Sequence, residues 1–187
     1  MHFIRDSLGV GFVALVLAGC SEQAPTPVST EADSPPVDST CGDAGYLRAT
    51  LTGALNAELE WTDTALRCES MRRPDDRGVR LRFSGRVGGE RLAIIISMPE
   101  LDPGETGAEF DSVITLTVEG SGRFFTTPNL GTCWTDIGEN SPDKEDGGPY
   151  VVAGSLTCVG PLGEFNGDAY VDIRDLRFSG IGDWGAT

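Results

Sequence analysis

The chain has 187 residues and a net charge of −15, which arises from 29 acidic and 14 basic residues. So acidic a chain repels polyanions, which argues against nucleic acid as a partner and against adhesion to anionic lipid surfaces. The only histidine is His2, so the chain beyond it offers no histidine as a general base or metal ligand.

An apolar run begins the chain. Residues 8–17, LGVGFVALVL, carry no charge and lead into Leu17-Ala18-Gly19-Cys20. This run suits the core of a signal peptide, whereas a membrane-spanning helix needs roughly 20 apolar residues. An ordinary secretory signal, cleaved after Val16-Leu17-Ala18, is one interpretation of these residues.

The stretch Leu17-Ala18-Gly19-Cys20 resembles the lipobox of bacterial lipoproteins. The resemblance covers residues 1–20 only, and its basic region is weak because Asp6 offsets Arg5. It implies that residues 1–19 are a signal peptide and that Cys20 carries a diacylglycerol and an acylated (palmitate-type) amine. Two or three acyl chains hold a protein stably on a membrane, whereas one does not. Because Ser21 rather than Asp follows the cysteine, the resemblance implies the outer membrane of the cell envelope rather than the inner membrane.

A polar segment separates the lipobox from the rest of the chain. Residues 21–40 hold four prolines and four acids, with no lysine or arginine. Such a segment buries too little apolar surface to fold, so residues 20–40 are predicted to be a lipidated cysteine with a disordered tether. A flexible coil of this length spans about 25 Å. The remainder, 41–187, has the length of a single domain.

Four cysteines remain in this domain: Cys41, Cys68, Cys133 and Cys158. An even count in an exported chain indicates two disulfides, for which three connectivities exist. A metal site is the alternative, but the mature chain has neither a histidine nor a Cys-x-x-Cys pair. Nearest-neighbour pairing, Cys41–Cys68 and Cys133–Cys158, is the preferred prediction, since it closes two loops of similar length.

The domain alternates between apolar and polar residues with a period of two, which is typical of half-buried strands. The pattern runs from Leu47 to Trp61, where a bend or turn near Gly53 is expected. A change of phase at Arg174-Asp175 predicts a β-bulge. We therefore predict an all-β domain, an antiparallel sandwich or barrel of about eight strands with two disulfides. Further strands are predicted within residues 78–87, 91–98, 111–120, 122–127, 150–158 and 169–180.

The pentapeptide LRFSG occurs twice, at 81–85 and 176–180. Both copies lie where a predicted strand runs into a glycine, and this similarity of position explains the coincidence. An old duplication is the alternative, and it would place Phe83 and Phe178 at equivalent positions of the fold.

Few catalytic groups are present, so the protein is predicted not to be an enzyme and to need no cofactor. Lys144 lies in an acidic stretch, where a deprotonated lysine is not expected. A glycosidase would need two facing carboxylates, with Glu58 and Glu60, or Glu105, Glu109 and Asp111, as candidates. Residues 136–146 and 166–172 are rich in oxygen ligands but match no calcium-loop pattern, so solvated loops are favoured there.

Arginines are concentrated in one part of the domain. Eight of the thirteen lie between Arg67 and Arg91, a stretch that holds four acids. Arg80, Arg82 and Arg86 are the candidate binding residues, and Arg80 and Arg82 share one face of a strand. One interpretation is cross-strand ion pairing with Glu58 or Glu60. The other is a docking face for an acidic protein or for the phosphate or carboxylate groups of an envelope glycolipid.

The sequence thus predicts a membrane-anchored envelope lipoprotein with a non-catalytic binding or structural role. The first alternative is a carrier of an apolar ligand, since Ala49, Gly53 and Ala57 are small and face inward. The second is the carboxylate glycosidase. Trp61 is predicted to face inward, and Trp184 and Tyr150 are the candidate exposed platforms for a sugar.

Overall fold

The computed structural model describes residues 41, 45–71, 73, 77–144 and 148–184, and the predicted signal peptide, Cys20 and tether lie outside them. The only helical segment among the described residues is a 3-10 turn, η1 (Asp63–Ala65). The strands are β1 (Tyr46–Gly53), β2 (Ala57–Thr62), β3 (Arg67–Ser70), β4 (Val79–Val87), β5 (Glu90–Met98), β6 (Gly107–Glu119), β7 (Arg123–Thr126), β8 (Cys133–Pro142), β9 (Tyr150–Cys158), β10 (Leu162–Glu164) and β11 (Tyr170–Gly182).

The prediction of an antiparallel all-β domain is confirmed, but the described residues form eleven strands rather than about eight. One reason is that the pattern from Leu47 to Trp61 is two strands, β1 and β2, joined at Gly53 by a turn. Leu51 lies opposite Ala57 and Leu47 lies opposite Trp61. Odd positions therefore pair with odd positions, and because cross-strand neighbours share a face, the alternation continues unchanged through the turn.

The second reason lies in the middle of the chain. β7 and β8 both pair with β6, one after the other along it, and β10 and β9 pair with β11 in the same way. Residues 136–146 were predicted to be a solvated loop, but 136–142 belong to β8, a strand in which Thr135 and Ile137 are buried. The acidic residues lie on the exposed face of β8, and their number made the sequence of this strand look like that of a solvated loop.

The strands form one sheet whose longest path is β2-β1-β11-β10-β7-β6-β5-β4-β3, so β2 and β3 end it. The sheet folds over on itself, because β3 and β4 contact β11 and β2 contacts β4. This sandwich-like arrangement puts the inward residues of both ends of the path against one another. Phe83 of β4 and Phe178 of β11 meet there at a centroid distance of 5.7 Å, and both are fully buried.

The predicted disulfides are present in the preferred pairing. Cys41–Cys68 ties the segment before β1 to β3, and Cys133–Cys158 joins directly opposed residues of β8 and β9. Phe83 lies opposite Cys68, whereas Phe178 lies opposite Gly154 rather than a cysteine. The register around the two LRFSG copies is therefore not equivalent, which favours coincidence over duplication.

Two other expectations concern aromatic residues and the bulge. Trp61 is 3% exposed and faces inward as predicted. The β-bulge in β11 is also present, with Asp175 at a φ of 52° opposite a shift of register in β1. Trp184 and Tyr150, however, are not exposed platforms. Their rings pack edge to face on each other with centroids 5.4 Å apart, and both side chains pack against the core.

Candidate functional site: an arginine groove on β4

The candidate site lies at the end of β4 that extends beyond its pairing with β3. β3 pairs only with Leu81–Ser84, so in the described part of the chain no strand covers that side of β4 from Gly85 to Val87. The indole of Trp61 lies beside this edge and its Nε1 donates a hydrogen bond to the Arg86 carbonyl oxygen at 3.3 Å. We call this uncovered length of β4, residues 85–87, the seam.

A groove of about 300 Å³ opens on the outer face beside the seam. Outward and inward residues alternate along β4, so Ser84 and Arg86 face this groove, whereas Gly85 faces Trp61. Register brings in residues from both neighbouring strands, since Arg67 of β3 lies opposite Ser84 and Arg91 of β5 lies opposite Arg86. The lining residues are Thr64, Ala65, Arg67, Ser84, Gly85, Arg86 and Arg91.

Positive charge dominates this arginine groove. Arg67 and Arg86 are exposed and form no ion pair with another described residue. Arg91 has a half-exposed side chain whose Nε lies 3.6 Å from a Glu119 carboxylate oxygen. Like charges placed directly opposite each other in a sheet repel, as Arg86 and Arg91 do here. Three guanidinium groups and two hydroxyl groups can together donate several hydrogen bonds to an anion.

Arg82, one of the predicted binding residues, is engaged within the fold. Its side chain is 20% exposed and lies between two carboxylates, donating to Glu69 at 2.9 Å and also to Glu119. Cross-strand ion pairing is thus present, but the expected partners, Glu58 and Glu60, were wrong. They lie on β2, which pairs with β1 and not with β4.

The structure separates the other two predicted binding residues. Arg86 lines the arginine groove, whereas Arg80 lies at the far end of β4, opposite Ser97, and does not line it. Arg67 and Arg91 line the groove but were not among the candidates, because the prediction followed one strand face. Their position depends on cross-strand register, for which the arginine-rich composition of residues 67–91 is the only sequence signal.

Three of the five carboxylates proposed for a glycosidase are held by local partners. Glu60 pairs with Arg48 at 3.4 Å, and a Glu58 carboxylate oxygen accepts a hydrogen bond from the Thr50 hydroxyl at 2.9 Å. Glu105 lies in the loop before β6 and accepts a hydrogen bond from the Asp102 amide at 3.0 Å. Glu109 and Asp111, expected in the same loop, lie on β6.

Within the described part of the chain, an ion pair between Arg123 of β7 and Glu164 of β10 shifts the pKa values of both groups. Arg123 Nε donates to a Glu164 carboxylate oxygen at 2.5 Å. This hydrogen bond lowers the pKa of Glu164 below its usual value, although desolvation opposes the shift. The same hydrogen bond raises the pKa of Arg123. The arginine charge is thereby neutralised by a carboxylate, which distinguishes Arg123 from Arg67 and Arg86 of the groove.

A second groove, of about 390 Å³, lies at the tips of the β1–β2 and β4–β5 hairpins. Its apolar lining comes from Ala57, Val87 and Leu92 on the strands and from Leu55 in the β1–β2 turn, and its polar lining comes from Asn56 and Glu90. We call this the apolar groove. It begins at Val87, the residue that follows Arg86.

Among the described residues, no group of three or more histidine, cysteine, aspartate or glutamate side chains is placed to hold a metal ion. The same part of the chain contains no helix of sufficient length and hydropathy to span a membrane. Comparison with protein families, with curated proteins and with solved structures finds no significant match to this chain.

Proposed function

We propose that this protein is a lipid-anchored, non-catalytic binding protein of the bacterial cell envelope, with the outer membrane as its location. The lipobox-like Leu17-Ala18-Gly19-Cys20, followed at once by the acidic, proline-rich tether, supports the anchor. The arginine groove is its proposed binding site, and the ligand is a phosphate or carboxylate group.

One observation carries the binding role. In a chain of net charge −15, Arg86 and Arg91 oppose each other in register, with Arg67 at the same groove. Bringing like charges together is unfavourable for the fold, and Glu119 offsets only Arg91, whereas Arg67 and Arg86 form no ion pair with another described residue. A bound anion neutralises them through charge-assisted hydrogen bonds, for which the planar guanidinium is the best donor in proteins. The anion can belong to an acidic protein or to an envelope glycolipid.

The binding role is tested with inorganic phosphate, titrated calorimetrically into the full chain carrying Cys20→Ser. Arg86→Gln and Arg91→Gln are each expected to weaken binding about tenfold or more, because each removes a charge-assisted hydrogen-bond donor. Arg80→Gln is the matched control, since it removes the same charge from the same strand outside the groove. Absence of phosphate binding, or equal weakening by Arg80→Gln, would contradict the proposal.

The anchor has its own test in an envelope fraction of a bacterial expression host. The wild-type chain is expected in the membrane fraction, with a mass that shows a diacylglycerol on Cys20, whereas Cys20→Ser is expected in the soluble fraction. A soluble wild-type protein cleaved after Ala18 would instead establish an ordinary secretory signal.

A carrier of an apolar ligand is a second candidate function, because the apolar groove lies at the open hairpin end of the sheet. Its lining includes Ala57, one of the small inward residues that motivated the prediction. Ala49 is buried within the core, however, and Gly53 lies at the exposed β1–β2 turn. Only Ala57 of these three therefore contributes to the groove.

A further inference from the structure

The amino-terminal part of the chain enters the domain beside the arginine groove. Residues 1–40 lie outside the described structure, and Cys41, which follows them, is bonded to Cys68 of β3 with a Cα–Cα distance of 4.9 Å. Arg67, which lines the groove, directly precedes Cys68. Since consecutive Cα atoms are about 3.8 Å apart, the Cα atoms of Cys41 and Arg67 lie within roughly 9 Å of each other. The disulfide therefore fixes the end of the tether close to the groove.

Cys68 faces inward opposite Phe83, whereas Arg67 faces outward opposite Ser84, so the tether must pass an edge of the sheet to reach the groove. β3 ends the path of the sheet, and no described strand pairs with the edge of β3 that faces away from β4. This edge is not the one that the Trp61 indole occupies, since Trp61 is bonded to β4 at the seam. A chain that leaves Cys41 thus meets no paired strand on its way to the outer face.

The tether and the groove are opposite in charge. Residues 21–40 hold four acids and neither lysine nor arginine, and the acids nearest to the domain are Glu31, Asp33 and Asp38. A carboxylate forms strong charge-assisted hydrogen bonds with guanidinium groups. Because the tether is covalently joined beside the groove, its carboxylates have an effective concentration of about 1 mM or more there.

The spacing of these acids suits the groove. An extended chain spans about 3.3 Å per residue, so Asp38 reaches about 10 Å from Cys41 and Asp33 reaches about 26 Å. The first distance is enough for Arg67. The second is enough for Arg86, which lies only two residues along β4 from the cross-strand partner of Arg67.

We propose that the acidic tether docks in the arginine groove through its carboxylates and competes there with the ligand anion. This inference rests on the proposed anion-binding function and adds its regulation by the chain itself. The ligand displaces the tether, and by thermodynamic linkage a docked tether weakens ligand binding by the same factor. In the lipid-anchored protein, displacement also lengthens the chain between Cys20 and the domain that is available to span the distance from the membrane.

The competition is measured by calorimetric titration of inorganic phosphate into the full chain carrying Cys20→Ser, the parent protein. The tether variant adds Glu31→Gln, Asp33→Asn and Asp38→Asn, which keep the length of the tether and remove its charges. A tether that occupies the groove for about nine-tenths of the time lowers the apparent affinity of another ligand about tenfold. The tether variant is therefore expected to bind phosphate about tenfold more tightly than the parent.

A matched control separates docking from the change in net charge. The control variant adds Glu100→Gln, Asp143→Asn and Asp168→Asn to the parent, so it loses three charges from exposed positions that do not line the groove. Salt screens charges beyond about 10 Å at 0.1 M ionic strength, so the control should bind phosphate within about twofold of the parent.

The docked tether is also observed directly, by nuclear magnetic resonance of the arginine side chains in a buffer without phosphate. The Nε–Hε signals of Arg67 and Arg86 are expected to differ between the parent and the tether variant, whereas the signal of Arg80 should not change. Circular dichroism and the urea midpoint establish that each variant is folded before it is measured.

The outcomes separate this inference from the function on which it rests. Equal phosphate affinities of the parent and the tether variant, with unchanged arginine signals, would overturn the docking and leave the anion site intact. An equal gain in the control variant would assign the effect to net charge and would also overturn the docking. If the tether variant binds no phosphate, the proposed binding function fails, and unchanged signals of Arg67 and Arg86 would then overturn both proposals.

Discussion

The contact between Gly85 and Trp61 gives the sharpest test of the packing beside the seam. Gly85 is buried in β4, and a Cβ placed on it would lie 2.5 Å from Cδ2 and Cε2 of the indole. Carbon atoms pack at about 3.5–4.0 Å, so Gly85→Ala requires the ring to move by about 1 Å. Trp61 is 3% exposed and its Nε1 is hydrogen-bonded to the Arg86 carbonyl, so the ring has little room to move.

Overpacking of this kind costs about 1–3 kcal/mol, and the smaller entropy of unfolded alanine returns about 0.4–1 kcal/mol. We therefore expect Gly85→Ala to lower the free energy of unfolding by about 1–2 kcal/mol and Tm by about 2–8 °C. The measurements are thermal and urea denaturation followed by circular dichroism. Gly163→Ala is the control, because a Cβ added at Gly163 would meet no atom within 4 Å, so this change should be neutral or slightly stabilising. If Gly85→Ala matches that control, the packing argument is refuted.

Three further predictions concern stability. Replacing both Cys133 and Cys158 by serine opens a loop of 25 residues and should lower the free energy of unfolding, measured by urea denaturation, by about 3 kcal/mol. An unchanged free energy of unfolding would show that the disulfide does not constrain the unfolded chain. Glu164 has a lowered pKa, so its ion pair contributes fully above the unfolded carboxyl pKa and is lost as pH falls through the folded pKa. Glu164→Gln should therefore flatten the acid limb of stability against pH, and an unchanged limb would contradict the shift. Arg82→Gln should lower the free energy of unfolding by about 1 kcal/mol and Arg80→Gln by less than about 0.5 kcal/mol, because only Arg82 lies between two carboxylates. Equal losses in urea denaturation would contradict this role of Arg82.

Strand positions and inward faces were predictable because both depend on local alternation. The inward set Leu47, Leu51, Leu59 and Trp61 follows directly from the period of two, and all four are buried. The number of strands was harder to predict from the sequence. The alternation continues unchanged through the hairpin around Gly53, so only the glycine itself marked the turn that was expected there and that the structure contains.

The candidate site was only partly predictable, because it is assembled across strands. Arg82 and Arg86 lie on the same strand and the same face, but one is neutralised by Glu69 and Glu119 while the other lies open in the groove. Which acids reach a given arginine depends on strand order and register, and these are set by long-range packing. The sequence therefore located the basic segment and did not distinguish its structural arginine from the arginines that line the groove.

The seam results from a local choice of conformation rather than from a lack of chain to cover it. If β3 continued its register toward the amino end, Thr64–Leu66 would lie opposite Gly85–Val87. Those residues instead follow Asp63, at a φ of 46°, through the 3-10 turn η1. Leu66 is buried and anchors the turn, while Thr64 and Ala65 line the arginine groove. Exposed strand edges favour aggregation and are usually covered in natural proteins. Along this edge the indole Nε1 of Trp61 takes the place of a strand donor, since it donates a hydrogen bond to the Arg86 carbonyl oxygen, and the arginine groove lies on the outer face beside it.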